Sequence, residues 1–354
     1  MAACCIIVTG EWYLNPMNRT AGLAAGILGA VALVAQAPPR PPTPATLPTS
    51  QLLSEPGPTF RIDDAALPNP LTLVVYGDQR FTDPANTRSA NPRVRAWLAK
   101  RIAEEHPAAI VLNGDVPLSG SVANDYAVFK SETTSWREAG IRVFPSLGNH
   151  EFAGDARKGL ENWWVHFPEL KDRRWYSAQI GSRVYLLALD SNAPLLPGSD
   201  QANWIEKQVD GLPASVDFVV ITMHHPPVAD IQQHIEVDHN PRPNEIALRH
   251  YLSQAATRTH AQFLVSTGHI HNYERHIVGN VTYLVAGGGG AVPYFVERTP
   301  DDLYQSVLFP NFHYVKVTVE KDRLRGEMYR VENPEAATLE LELKDAFSIP
   351  VKPK

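Results

Sequence analysis

Residues 262–271, QFLVSTGHIH, place two histidines shortly after a short apolar run. Residues 263–265 of this stretch are apolar, and so short a run is typical of a buried β-strand rather than a helix. His269 and His271 then follow, two residues apart. A His-x-His pair also occurs on ordinary half-buried strands, because alternate side chains share one face. The pair therefore indicates a metal site only if other ligand-type residues follow strands elsewhere in the chain.

Four other short apolar runs are followed by residues of this kind. The runs are residues 71–76, 108–113, 141–147 and 217–223. The residues that follow them are Asp78, Asp115, Asn149, His150, His224 and His225. Residues 91–107 carry apolar side chains at helical spacing, which predicts a parallel strand–helix–strand unit. Because ligands bind beyond the carboxyl ends of parallel strands, we expect these donors to meet at one edge.

The chemistry of these donors indicates a metal centre. Carboxylate, amide oxygen and imidazole suit first-row divalent ions. Four of the five donor groups also follow a glycine, which permits the tight turns and close approach of a crowded site. These glycines are Gly77, Gly114, Gly148 and Gly268. Each motif alone has an ordinary structural explanation, such as a turn or a helix cap, so the prediction depends on all five occurring in order.

Composition narrows the function further. The formal net charge is −6, and no Lys/Arg-rich run is present, so nucleic acid is not expected as a structural partner. A small phosphorylated substrate remains compatible with this charge. Both cysteines, Cys4 and Cys5, lie at the N-terminus, so the rest of the chain has no thiolate for a structural zinc site.

The N-terminal region predicts export. Residues 17–37 contain an arginine, an apolar stretch and a final Ala-Gln-Ala, the layout of a cleavable signal peptide. Residues 1–16 would then be an extension ahead of the true start. The apolar stretch is short for a membrane span, and no cysteine follows it for lipidation, so no stable membrane anchor is expected. The predicted location is secreted or periplasmic.

The remaining boundaries follow from composition and pattern. Ten of the chain's 30 prolines lie within residues 38–70, which predicts an extended linker. Residues 71–335 are predicted to form the folded domain, and residues 336–354 a C-terminal tail.

The ordered motifs resemble those of the calcineurin-like metallophosphoesterase superfamily. Residues 268–275, GHIHNYER, together with residues 175–191 and 201–209, are most similar to its purple acid phosphatase branch. The resemblance implies an α/β fold, a four-layer α/β/β/α sandwich, with two metal ions (Fe, Mn or Zn) at the strand-end edge. It also implies the roles of individual residues.

By this resemblance, Asp115 bridges the two ions. Asn149, His224 and His269 complete one metal site, while Asp78 and His271 serve the other. The residues expected to act in catalysis are His150, Asp115 and Arg80. The residues expected to contact substrate are Arg80, His150, His225 and Tyr273.

Two positions depart from the family pattern. The first motif is Asp78-Gln79-Arg80, where the family has Asp-x-His or Asp-x-Gly, and Leu118 stands where the purple branch has a tyrosine ligand. The first metal site is therefore expected to be one protein ligand short and weak, unless another tyrosine such as Tyr126 substitutes. Arg80 is expected to meet phosphate, because a guanidinium fork suits its oxygens.

The function predicted is acid-phosphatase-like hydrolysis of a phosphate ester, with a metal-bound hydroxide attacking phosphorus. A phosphodiesterase or nucleotidase of the same fold is an alternative, as is a degenerate protein that binds a phosphorylated ligand through one metal. The loop 226–245, with His234 and His239, could form one wall of the pocket or be an ordinary solvated loop. Tyr273 and Arg275 could also border the site, although Arg275 could equally belong to a surface ion pair.

Overall fold

The computed structural model describes residues 57–234 and 239–353. The predicted extension, the signal peptide and most of the proline-rich linker lie outside these residues. The described strands are β1 (Phe60–Ile62), β2 (Leu71–Tyr76), β3 (Ala109–Leu112), β4 (Arg142–Pro145), β5 (Tyr176–Ile180), β6 (Val184–Ala188), β7 (Phe218–Thr222), β8 (Gln262–Thr267), β9 (Tyr273–Val278), β10 (Val281–Ala286), β11 (His313–Val319), β12 (Arg323–Val331) and β13 (Leu341–Pro350). The α-helices are α1 (Pro92–Glu104), α2 (Ala123–Glu132), α3 (Thr134–Glu138), α4 (Ala156–His166), α5 (Asp200–Asp210) and α6 (Pro243–Arg258), and three-residue 3₁₀ helices lie at Asp64–Ala66, His150–Phe152 and Pro168–Leu170.

These strands form two sheets. In the described part of the chain, one sheet has the order β1-β5-β6-β7-β8-β10-β9 and the other β13-β12-β11-β2-β3-β4. Strands β2, β3 and β4 are parallel neighbours, as are β7 and β8. All five strands that precede the predicted ligands therefore lie in the parallel parts of the two sheets.

The alternation of side chains along β7 shows how the layers pack. Phe218 and Val220 belong to the large core that includes the space between the sheets. Val219 and Ile221 point the other way, into a second core shared with α5 and α6. Because α1 to α4 pack on the β2-β3-β4 side of the other sheet, the order of layers is helices, sheet, sheet, helices. The predicted four-layer sandwich is confirmed.

The folded region extends beyond both predicted boundaries. Strand β1 lies ahead of Leu71 and pairs with β5, and β13 lies after residue 335 and pairs with β12 along its length. Residues 341–350 are therefore an edge strand rather than a tail. Sequence patterns missed both strands because β1 has only three residues and β13 is largely half-exposed, with little apolar alternation.

Among the described residues, the helices include none with the length and apolar character needed to cross a bilayer.

Candidate metal centre

Three of the predicted ligands meet after β4, β7 and β8. His224 Nε2 lies 2.9 Å from Asn149 Oδ1, and His269 Nδ1 lies 3.2 Å from the same oxygen. The two imidazole nitrogens are 3.2 Å apart. Asp115 Oδ1, from the turn after β3, lies 3.3 Å from His224 Nε2. Two imidazoles, an amide oxygen and a carboxylate thus face one point, a donor set that fits a divalent ion.

Asp78 and His271 form a second set beside the first. Asp78 Oδ1 lies 3.5 Å from His271 Nε2, and both side chains are buried. Neither of these two atoms has a hydrogen-bond partner. An unsatisfied buried polar atom costs about 1–3 kcal/mol, so a bound cation would satisfy both atoms at once. Ligand atoms of Asp78, Asp115 and His224 lie within 4.8 Å of one another, so Asp115 is close to both sets.

Backbone carbonyls orient two of the histidines. His224 Nδ1 lies 2.9 Å from Asn113 O, and His271 Nδ1 lies 2.6 Å from Val292 O. A carbonyl accepts only from a protonated nitrogen, so Nδ1 carries the proton in each neutral ring. The lone pair on Nε2 then faces the centre, the arrangement usual for a metal-binding histidine.

The charges around Asp115 indicate the same position for a cation. Burial disfavours ionisation of Asp115, but His224, His150 and Arg80 together hold its pKa well below the usual range. Burial likewise opposes charge on His224, yet Asp115 raises the pKa of this histidine to about 9. The directions of these two pKa shifts show that the surroundings of Asp115 favour positive charge.

The turns that carry the ligands depend on glycine and on left-handed backbone. A Cβ at Gly148 would lie 2.2 Å from Asp115 Oδ1, and one at Gly268 would lie 2.3 Å from Asp78 Oδ2. Asp78 has a φ of 60°, Asp115 of 54° and His269 of 71°, which is uncommon for residues other than glycine. The close approach expected at these two glycines is present.

Glu151 supports the centre and was not predicted as a site residue. Its carboxylate accepts from the backbone N–H groups of Asp115, Val116 and Gly148 at 3.1, 2.9 and 2.7 Å. Burial, followed by the charge of Asp115, raises the pKa of Glu151 to about 8. Glu151 lies two residues after Asn149, and this spacing was the sequence feature that could have identified it as a site residue. Nothing in the sequence shows that its carboxylate joins two of the turns that carry ligands.

His150 and Arg80 lie at the open side of Asp115. His150 Nε2 is 3.8 Å and Arg80 Nη2 3.4 Å from Asp115 Oδ2, and their side chains are 20% and 16% exposed. His150 Nδ1 lies 2.5 Å from Leu118 O, which leaves Nε2 free toward the centre. Both side chains could therefore contact a ligand at the metals.

The other predicted contact residues divide into two groups. His225 lies at the site, with its ring 4.4 Å from that of His269 and its Nδ1 2.7 Å from Ser191 Oγ. The prediction that Tyr273 contacts substrate is wrong, since Tyr273 is fully buried and its hydroxyl donates to Asp345 Oδ2 at 2.8 Å. Arg275 pairs with the same carboxylate.

Tyr126, the tyrosine that could substitute for the missing ligand, is fully buried and stacks on His166 with ring centroids 4.9 Å apart. Its hydroxyl has no hydrogen-bond partner, so its role as a ligand stays a prediction. His239 of the loop 226–245 reaches the site, where its ring centroid is 4.6 Å from that of His269. His234 is exposed and pairs with Glu297.

Residues 81–273 match the family model of the calcineurin-like phosphoesterases. The chain belongs to this family. The family is that of the phosphoesterases, enzymes that hydrolyse phosphate esters, and divalent metals are typical of it. A search of curated proteins found no match.

Several solved structures share the fold. A purple acid phosphatase from yellow lupin (Lupinus luteus) seeds superposes with a TM-score of 0.61 and 17% identity, covering 80% of this chain and 54% of the lupin chain. PhoD gives a TM-score of 0.55 and 10% identity, with 84% and 72% covered. A dimetal phosphatase from Danio rerio gives 0.51 and 13%, with 80% and 100% covered. At such identities the similarity shows the fold alone, and this chain spans about half the length of the lupin protein.

Proposed function

We propose that this phosphoesterase is an exported, acid-phosphatase-like enzyme that uses two divalent or trivalent ions. The observation that carries the proposal is the pair of buried, unpartnered atoms, Asp78 Oδ1 and His271 Nε2, next to the set of His224, Asn149 and His269. Such ions, when bound, supply positive charge for the phosphoryl oxygens and acidify water.

Three residues of the chain would have separate roles in this reaction. Asp115 would hold both ions, because its carboxylate lies within 4.8 Å of a ligand atom from each donor set. Arg80 would bind a phosphoryl oxygen that points away from the ions, since its guanidinium borders the open side of Asp115. His150 Nδ1 donates to Leu118 O, so Nε2 would donate a hydrogen bond to the phosphoryl group, or a proton to the leaving oxygen, only from the doubly protonated ring. Burial lowers the pKa of His150, and the negative charge of a bound phosphate would oppose that effect.

The test is hydrolysis of p-nitrophenyl phosphate after the purified protein is loaded with iron, manganese or zinc. We expect turnover together with two bound ions per chain by elemental analysis. Absence of turnover under every loading would contradict the proposal. A panel of monoesters, diesters and nucleotides would then distinguish the acid phosphatase from a phosphodiesterase or nucleotidase.

A binding protein with one metal is the second candidate function. Leu118 provides no ligand to the Asp78–His271 set, and Arg80 Nη2 lies 3.4 Å from the oxygen of Asp115 that would otherwise face a second ion. The cation at Arg80 would repel that ion. One tightly bound ion, with phosphate binding and no turnover, would favour this candidate.

Export is proposed from the N-terminal sequence alone. Residues 17–37 have the features of a signal peptide, and the residues after them contain no cysteine. N-terminal sequencing of the natural protein should find a chain that begins near residue 38. A chain that begins ahead of Gln36 would contradict export by this route.

A further inference from the structure

Tyr294 enters the metal centre from a segment that carries none of the metal motifs. It lies between β10 and β11, and its backbone is fixed to the turn that bears the His-x-His pair. Tyr294 N donates to His271 O at 3.1 Å, and Asn272 Nδ2 donates to Tyr294 O at 2.6 Å. The position of Tyr294 is therefore set by the same turn that positions a metal ligand.

Asn272 ties further parts of the segment to this turn. Its Oδ1 accepts from Arg298 Nη2 and from Asn311 Nδ2, each at 3.0 Å, and only 3% of Asn272 is exposed. Tyr294 and the segment that follows it are thus anchored to one buried side chain. Such pre-organisation suits a residue that must hold a substrate group in place.

Two imidazoles stack on the Tyr294 ring. The His271 ring lies 4.1 Å away at an interplanar angle of 16°, and the His239 ring lies 5.0 Å away at 25°. These contacts occupy the aromatic surface, so a ring of the substrate would not readily stack there. The hydroxyl edge is the part of Tyr294 that remains for contact with a ligand.

The hydroxyl edge lies beside Arg80. The Arg80 side chain interacts with the Tyr294 hydroxyl, and the charges of Asp78 and Asp115 also act on this hydroxyl. Arg80 Nε is buried and has no hydrogen-bond partner. A phenol and a guanidinium side by side form a pair of donors, which matches the oxygens of an anion.

We propose that Tyr294 is a substrate-contacting residue that donates its hydroxyl hydrogen to a phosphoryl oxygen next to Arg80. Asn272 and His239 are positioning residues, which act by holding the ring in place. This inference rests on the proposed function, because that function identifies the anion as a phosphate ester.

The test is the Tyr294→Phe variant, which keeps the ring and both stacking contacts and removes only the hydroxyl. Binding of inorganic phosphate to the Mn²⁺-loaded protein is measured by calorimetry, and KM and kcat are measured with p-nitrophenyl phosphate. We expect the Kd of phosphate and the KM to rise about tenfold, the usual effect of losing one hydrogen bond to a charged group. Metal content and melting temperature should not change.

The matched control is Tyr283→Phe. Tyr283 is a buried tyrosine of β10 whose hydroxyl has no hydrogen-bond partner, so its loss should leave phosphate binding and KM as in the parent.

Three outcomes would overturn the inference. In the first, Tyr294→Phe hydrolyses and binds phosphate like the parent, which removes the inference and leaves the proposed function intact. In the second, the variant loses metal or melts at a lower temperature in proportion to its weaker binding, which indicates a structural role. In the third, the parent itself neither binds phosphate nor hydrolyses the ester with any metal, so the proposed function fails and the inference with it.

Discussion

At the scale of single residues, the donors of this centre could be predicted, but the groups that orient them could not. Asp115, His224 and His271 follow strand-like runs in recognisable motifs, and the structure brings them together. The carbonyls that fix the two histidine tautomers belong to Asn113 and Val292. Every residue has a backbone carbonyl, so the sequence does not show which one a histidine will contact. Tertiary folding alone decides which carbonyl an imidazole meets.

The same limit applies to two unpredicted side chains. Glu151 stood within a motif, yet its use depends on three N–H groups from two separate turns. Tyr294 follows no motif, and its backbone is held at the centre by contacts with His271 and Asn272. The errors and omissions thus fall on residues whose partners are distant in sequence.

Replacing Asp115 tests the bridge between the two donor sets. Asp115→Asn keeps the shape but removes a negative charge and one metal-binding oxygen, so we expect turnover to fall by more than about 100-fold. Elemental analysis should show fewer ions per chain. Asp172→Asn is the control, because Asp172 is exposed and asparagine also accepts its left-handed backbone. An Asp115→Asn variant with parental activity would exclude a bridging role.

At the scale of elements, the turns after the strands matter more than the strands. Runs 71–76 and 262–267 coincide with β2 and β8, because short β-branched runs predict buried strands well. The turn geometry was indicated only by glycine. Asp78 and His269 adopt left-handed backbone, which aspartate and histidine favour more than most non-glycine residues but too weakly to predict these positions.

Adding a methyl group at Gly268 should disturb the turn that carries the His-x-His pair. In Gly268→Ala the new Cβ would lie 2.3 Å from Asp78 Oδ2, which requires the ligand or the turn to shift. We expect a loss of about 1–3 kcal/mol in the free energy of unfolding, measured with urea, and weaker metal binding. Gly211→Ala is the control, since its Cβ would meet only Lys207 O at 3.1 Å. Equal metal affinity in both variants would contradict the close approach.

At the scale of the whole molecule, the layers were predicted and the limits of the fold were not. The resemblance to the family implied the two-sheet sandwich, whereas the sequence signal of the edge strands is weak. Strand β13 illustrates the difference, because most of its side chains are half-exposed or exposed. We expect this strand to stabilise the domain through the carboxylate of Asp345. This carboxylate pairs with Arg275 at 2.6 Å and accepts a hydrogen bond from the Tyr273 hydroxyl.

Asp345→Asn therefore tests whether the edge strand stabilises the domain that carries the metal centre. The variant leaves the largely buried guanidinium of Arg275 without its charged partner, so we expect the free energy of unfolding to fall by about 2 kcal/mol. Urea denaturation measures the change. Asp322→Asn is the control, because Asp322 lies exposed in the turn between β11 and β12. Unchanged stability in Asp345→Asn would mean that β13 contributes little.

We infer that side chains from both sheets bind metal ions at one edge of the sandwich. Anomalous X-ray scattering from crystals grown with Mn²⁺ would locate these ions. We expect one peak among Asn149, His224 and His269 and a second beside Asp78 and His271, with Asp115 close to both. Manganese bound elsewhere on the protein, with no peak among these six side chains, would contradict it.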